Sequence, residues 1–106
     1  LKLDPIARTE LDAFAERLLV NPSLKVEIGV HADARGDAAA KLALTQRQAQ
    51  AIVDHLVAKG VQKERLVARG YGSERPRNHC VQGVTCTEEE HAENRRNEWT
   101  VTAVTP

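Results

Sequence analysis

Two short stretches of this chain bring together side chains capable of chemistry. His31-Ala32-Asp33 sets an imidazole two residues from a carboxylate, an arrangement used for metal binding and for acid–base work. At the end of a strand the same H-x-D pattern is a common coincidence, and His31 reads as a packed or rim residue. The second stretch holds His79-Cys80, Cys86 and His91, an H-C-x5-C-x4-H series with four potential zinc ligands. It lacks the C-x2-4-C spacing usual in zinc sites, and the adjacency of His79 and Cys80 makes joint coordination awkward. No serine or cysteine is set with a plausible general base to activate it as a nucleophile. Gly70-Tyr71-Gly72 ends a strand with no helix behind it, so it is not a phosphate-binding loop. Two carboxylates at hydrolase spacing cannot be picked out. These patterns point away from an enzyme and toward a binding module.

The elements that must position these groups follow from composition and period. At 106 residues the chain is read as one domain, residues 1–106, long enough for a single two-layer core. Fifteen basic side chains balance fifteen acidic ones, so no net field draws nucleic acid or anionic lipid. No apolar run reaches the roughly 18 residues of a membrane span. The chain opens at Leu1 without a methionine or signal peptide and is expected to be a piece of a larger protein. No cofactor is implied.

Asp4-Pro5 reads as a helix start, a carboxylate to accept first-turn N–H groups followed by a residue with pre-set φ. Ala7, Leu11, Phe14, Ala15 and Leu18 recur at helical spacing until Asn21-Pro22. Leu24, Val26, Ile28 and Val30 alternate with Lys25, Glu27 and Gly29, a half-buried strand over 24–30. His31 to Gly36 is a loop. From Asp37 to Lys59, Leu42, Ala49, Ile52, Val53 and Leu56 form one apolar stripe, and Gly60 stops the helix. A second strand covers 66–71. Thr87-x-x-Glu90 fits a capping box opening a short helix, with Glu88, Glu89 and Glu90 as its acidic N-terminus. The last strand, 97–104, carries Trp99, Val101 and Ala103 on one face. This alternation predicts an α/β sandwich with the helices on one face of a small sheet.

Four motifs then carry a family resemblance. They are His31-Ala32-Asp33 (an HTD-type strand end), Leu44-Thr45-Gln46-Arg47-Gln48-Ala49 (an LSxRRA-type helix segment), Ala68-Arg69-Gly70-Tyr71-Gly72-Ser73-Glu74, and CVQGVTCTEEEHAENRRNEW from Cys80 to Trp99. Together they resemble the OmpA C-terminal-like (OmpA/MotB/Pal) peptidoglycan-associating domain, in its subgroup with C-x5-C-T-E-E-E-H and N-R-R motifs. The resemblance implies two long helices on one face of a small mixed sheet. The family's first strand is missing or reduced here to Leu1-Lys2-Leu3, which would leave a sheet edge free to pair with another chain.

It also implies a ligand, the zwitterionic diaminopimelate end of the peptidoglycan stem peptide. In the family an aspartate at a strand mouth receives the ammonium, and a helix arginine grips the carboxylate in a bidentate hydrogen bond. The aspartate falls at Asp33. The arginine, fifteen residues on, falls at Gln48, and the family's helix asparagine, three before Leu44, falls at Lys41. Lys41 and Gln48 are about two turns apart on one face, so Lys41 can supply the charge that Gln48 lacks; Arg47 points about 100° away. Arg35 and Arg96 are further candidates. The plain alternative makes Arg35, Lys41 and Arg47 solvated surface charges and Asp33 a loop carboxylate tying down its own backbone. The expected site is Asp33, Lys41, Leu44, Gln48 and Arg96, with no metal. For an exported module, the Cys80 and Cys86 pair reads as a disulfide. The implied function is non-catalytic binding of peptidoglycan on the periplasmic side of the outer membrane, tethering an envelope protein without inserting into the membrane. The competing expectation is a protein-interaction module that keeps the fold and has lost wall binding through Gln48 and Lys41.

Overall fold

The structure, a computed structural model, describes residues 5–104. In chain order its elements are α1 (Pro5–Val20), β1 (Leu24–His31), α2 (Ala38–Ala58), a 3-10 turn (Lys63–Arg65), β2 (Leu66–Gly72), α3 (Glu88–Ala92) and β3 (Arg96–Val104). The expected first strand at Leu1-Lys2-Leu3 and the Asp4 cap lie outside the described residues. Pro5 is the first helical residue of α1, as its fixed φ favours. Asp37 caps α2, its carboxylate accepting from the Ala40 N–H. At the other end Gly60, at φ +107°, lets its own N–H reach the Val57 carbonyl and that of Val61 reach Leu56. This is a Schellman stop, and it buries Val61 against Leu56, the apolar contact that usually accompanies the motif. Thr87 and Glu90 close the capping box of α3 reciprocally.

β1 is the middle strand of a mixed three-stranded sheet of order β2-β1-β3, parallel to β2 and antiparallel to β3. Its inward residues Val26, Ile28 and Val30 meet Leu11, Ala15 and Leu18 of α1 and Ala49, Ile52, Val53 and Leu56 of α2, forming one core. Arg65, buried within the 3-10 turn, donates to the carbonyls of Leu18, Asn21 and Leu24, so one guanidinium satisfies the frayed end of α1 and the start of β1. The backbone of α2 lies directly on β2. A Cβ on Gly70 would stand 2.1 Å from the Gln46 nitrogen, so only glycine permits this approach. Gln46 uses that closeness: its amide donates to the Ala68 carbonyl and accepts from the Gly70 N–H, pairing with the strand edge as a peptide unit would.

One sequence expectation needs correcting. Leu42 is not part of the buried stripe; it is 40% exposed, and Thr45 takes the inward position instead. The Thr45 hydroxyl donates within its own helix toward the Lys41 and Leu42 carbonyls and accepts from the Gly72 N–H, which is why a polar side chain can be buried there. Trp99 and Val101 stand opposite Ile28 and Val26 but remain 41% and 54% exposed. β3 is an edge strand among the described residues, and Phe14 of α1 stacks on Trp99 at 4.8 Å between ring centroids.

Leu56→Ala should cost roughly 2 to 5 kcal/mol in denaturant unfolding, as truncation of a fully buried side chain. Leu42→Ala should cost less than about 1 kcal/mol. Equal effects would contradict the burial pattern of α2.

Candidate functional site

Where β1 ends, the loop 32–37 turns the chain into α2 and leaves Asp33 with 3% of its side chain exposed. The first role of that carboxylate is local: Oδ1 accepts the Arg35 N–H at 3.0 Å, the Asx-type turn that the plain reading of the sequence expects. It does much more. Oδ1 also accepts from Lys41 Nζ at 2.9 Å and more weakly from Arg35 Nε, while Oδ2 accepts from Arg35 Nη2 at 3.0 Å and Arg95 Nη1 at 2.8 Å. Five donors therefore converge on a group with about four lone-pair sites. Burial on its own would raise the carboxyl's pKa. The hydrogen bonds from Arg35, Arg95 and Lys41 outweigh it and hold the group well below the ordinary carboxylate range.

The two arginines are also held from outside. Glu88, the first residue of α3, accepts from Arg95 Nη2 at 2.7 Å and from Arg35 Nη1 at 2.9 Å. Asp33, Arg35, Glu88 and Arg95 thus close a ring of alternating charge, with Lys41 as a fifth member on its buried side. Glu88 is 63% exposed, and these contacts depress its pKa, that from Arg95 most.

Of the residues expected at the site, Asp33 and Lys41 meet. Lys41, Leu44 and Gln48 are half-buried along one face of α2. Gln48 makes no side-chain hydrogen bond among the described residues. Arg96 goes elsewhere: it lies against Glu98 and donates to the Arg75 carbonyl. Successive side chains entering a strand point to opposite sides, so Arg95, one residue earlier, is the member of the N-R-R pair that reaches Asp33. Arg95 and Glu88 lie within the Cys80–Trp99 motif; only the pairing across α3 singles them out.

The asparagine that opens the N-R-R motif explains how Arg95 is aimed. Asn94 is fully buried, accepting from the Arg77 N–H and donating to Asn78, whose own amide donates to the Glu90 carbonyl and the Glu93 carboxylate. Beside it Cys80 and Cys86 are joined as a disulfide, with their Cα atoms 6.1 Å apart. Ligand-type atoms of His79, Cys80, Cys86 and Glu90 lie within 4.8 Å of one another, but both sulfurs are spent in that bond. His91, the fourth zinc ligand suggested by spacing, is not in the group. His31 is buried on the outer face of β1, stacked on Tyr71 at 4.8 Å; Nε2 sits 2.9 Å from Glu98 without hydrogen-bond alignment. Burial, then the nearby Arg96 charge, lowers its pKa, so it is neutral at neutral pH. An open groove of about 640 Å³ runs beside it, lined by Leu42, Gln46, Arg69, Tyr71, Glu74 and Arg75. Arg75 lies 4.2 Å over the Tyr71 ring, and Tyr71 donates to Glu27.

Comparison with known proteins places this geometry in a family. A family model described as "OmpA family" matches residues 1–95. The chain is 35% identical over 89 residues to a peptidoglycan-associated lipoprotein of Legionella pneumophila, covering 84% of this chain and 48% of that protein. It is 33% identical over 84 residues to outer membrane protein P5 of Haemophilus influenzae, 79% of this chain and 23% of that one. Among solved structures, the peptidoglycan-associated lipoprotein from Burkholderia pseudomallei superposes with a TM-score of 0.79 at 26% identity, covering 92% of this chain and 79% of that one. The cell wall anchor of the T6SS from Pseudomonas aeruginosa superposes at 0.77 and 26% identity, covering 96% and 70%. The chain belongs to the OmpA family and is a non-catalytic module. It spans about half the length of the lipoprotein relatives it matches.

Two outcomes follow from the ring and its scaffold. Asp33 has a folded pKa below its ordinary 3.8, so it adds stability above that value and loses it as pH falls and the unfolded chain takes up the proton first. Asp33→Asn should therefore cost about 1–3 kcal/mol at pH 7, and the gap to wild type in unfolding free energy should narrow steadily below about pH 4. A gap independent of pH would contradict the ionised network. The unreduced protein should weigh two hydrogens less than the dithiol, and Cys86→Ser should lower stability by about 2 kcal/mol on the loop-entropy model.

Proposed function

We propose that this domain is a peptidoglycan-binding module of the bacterial envelope, receiving the diaminopimelate end of a stem peptide beside Asp33 and so tethering the protein that carries it to the wall. One observation carries the reading: a buried carboxylate at the mouth of β1, ringed by three cations at the start of α2. That arrangement holds the two charge signs a zwitterion needs within a few bonds of each other, on rigid elements. Asp33 is the acceptor for the ligand's ammonium, in the place Lys41 now occupies. Arg35 and Arg95 stand nearest for its carboxylate, with Leu44 and Gln48 along the adjoining face of α2 and Arg96 at the periphery. The names of the relatives, peptidoglycan-associated lipoproteins and a cell wall anchor, support the same ligand class. The site sits on the periplasmic side of the outer membrane. No described helix is long and apolar enough to cross a membrane.

A second reading has its own observation. Gln48 stands where the family's arginine would grip a carboxylate, and Asp33 is already saturated by its own chain. An interaction module that keeps the fold and no longer holds the wall would look like this.

Co-sedimentation with purified diaminopimelate-type peptidoglycan separates the two. Wild type should pellet with the wall in a salt-sensitive manner, Asp33→Asn should stay in the supernatant, and Gln48→Arg should pellet more fully because a fork replaces a neutral amide. Absence of pelleting by wild type and by Gln48→Arg alike would favour the interaction module.

A further inference from the structure

The proposed wall site already contains an ammonium and a carboxylate, both belonging to the protein. Lys41 Nζ stands 2.9 Å from Asp33 Oδ1, where a ligand ammonium would have to be received. Glu88 bridges Arg35 and Arg95, the two guanidinium groups that a ligand carboxylate would have to reach. Taking the Asp33 region as the wall site, we infer that Lys41 and Glu88 are internal competitors that occupy the two halves of the pocket in the free domain. A zwitterionic ligand then binds by exchange, ammonium for ammonium and carboxylate for carboxylate.

The placement of each competitor supports this. Lys41 lies in the first turn of α2, the end of a helix where its dipole disfavours a cation. Asp33, not the helix, accounts for its position. Glu88 lies in the first turn of α3, where a carboxylate remains favourable after it leaves the arginines. Both can swing away, since Glu88 is 63% exposed and Lys41 25%, while Asp33 at 3% is fixed. Arg35 and Arg95 are each engaged by both carboxylates, so in the free state their forks point no unshared pair of donors at a ligand carboxylate. The exchange leaves the count of charge pairs unchanged. Its free energy therefore comes from the ligand's other contacts, and the wild-type domain binds weakly because it must first displace itself. Ligand class follows as well: a free amine beside a carboxylate is needed to replace both competitors, whereas a ligand with its amine acylated can replace only Glu88.

Calorimetric titration of a diaminopimelate-containing muropeptide, and of the same muropeptide N-acetylated at the free amine, tests this on four proteins: wild type, Lys41→Ala, Glu88→Gln and the double variant. Far-UV circular dichroism and thermal melts confirm that each is folded; Glu88→Gln alters only an exposed side chain and guards against misfolding of the other. Each single variant should bind the free-amine muropeptide about tenfold more tightly than wild type, equivalent to about 1.4 kcal/mol. The N-acetylated ligand should gain from Glu88→Gln and not from Lys41→Ala. If wild type binds and neither variant binds more tightly, the competition is overturned while wall binding stands. Equal gains for both ligands in Lys41→Ala would overturn ammonium exchange. If none of the four binds, both this inference and the wall-binding reading fall.

Discussion

A carboxylate almost wholly withdrawn from water cannot remain ionised alone; desolvation would drive it to its neutral acid. Asp33 avoids this because Arg35, Lys41 and Arg95 deliver donors to both of its oxygens. Those partners come from three parts of the chain: its own loop, the first turn of α2, and the segment leading into β3. Glu88 adds the start of α3 through the same arginines. One buried charge therefore ties together the termini of four elements, and any change in the loop after β1 is felt at each of them. Ion pairs on open surfaces contribute little. This one differs in that its acceptor is buried, so the loss of any donor leaves a desolvated charge undersatisfied.

The remainder of the fold holds these groups still. β1 is the middle strand, so the end that presents Asp33 is fixed on both sides by hydrogen bonds. The start of α2 cannot drift because its backbone rests against Gly70 and Gly72, with Gln46 and Thr45 bonded to the edge of β2. Arg95 is aimed by Asn94, whose buried amide is locked to the 77–78 segment, and that segment is joined through Asn78 to α3. The disulfide closes the same loop. Rigid elements with a polar cluster at one end are what a recognition site requires, and here Asp33 at its centre is already saturated by donors of its own chain.

Period and punctuation in the sequence make most of the architecture legible. Asp37 and Gly60 bound α2 because a capping carboxylate and a left-handed glycine are strong local signals, and Thr87-x-x-Glu90 opened α3 for the same reason. Leu42 was misplaced because hydrophobicity alone cannot tell an inward leucine from one over a groove, and because Thr45 satisfies its hydroxyl within its own helix. The 3-10 turn with Arg65 was missed, since its guanidinium bonds to carbonyls about forty residues away, which no local pattern encodes. At the site, motif position places Asp33 and Lys41, and helix geometry puts Lys41 on the face of Gln48; the direct Asp33–Lys41 ion pair emerges only from the folded loop. The choice between Arg95 and Arg96 is not legible in the sequence, because it depends on which side of β3 the chain presents as it enters the strand. Glu88 read as a favourable helix start, and it is one; its second role appears only when α3 is folded against the loop.

Under the proposed function, the ring around Asp33 is where this domain meets the wall. It can be watched directly by side-chain nitrogen NMR of the lysine ammonium and arginine guanidinium groups during titration with a diaminopimelate-containing muropeptide. The signals of Lys41, Arg35 and Arg95 should shift together and saturate with a single affinity, while Arg65, buried against the backbone far from the loop, stays in place. Shifts confined to Arg69 and Arg75 in the groove beside Tyr71, with the Asp33 partners unmoved at saturation, would contradict it.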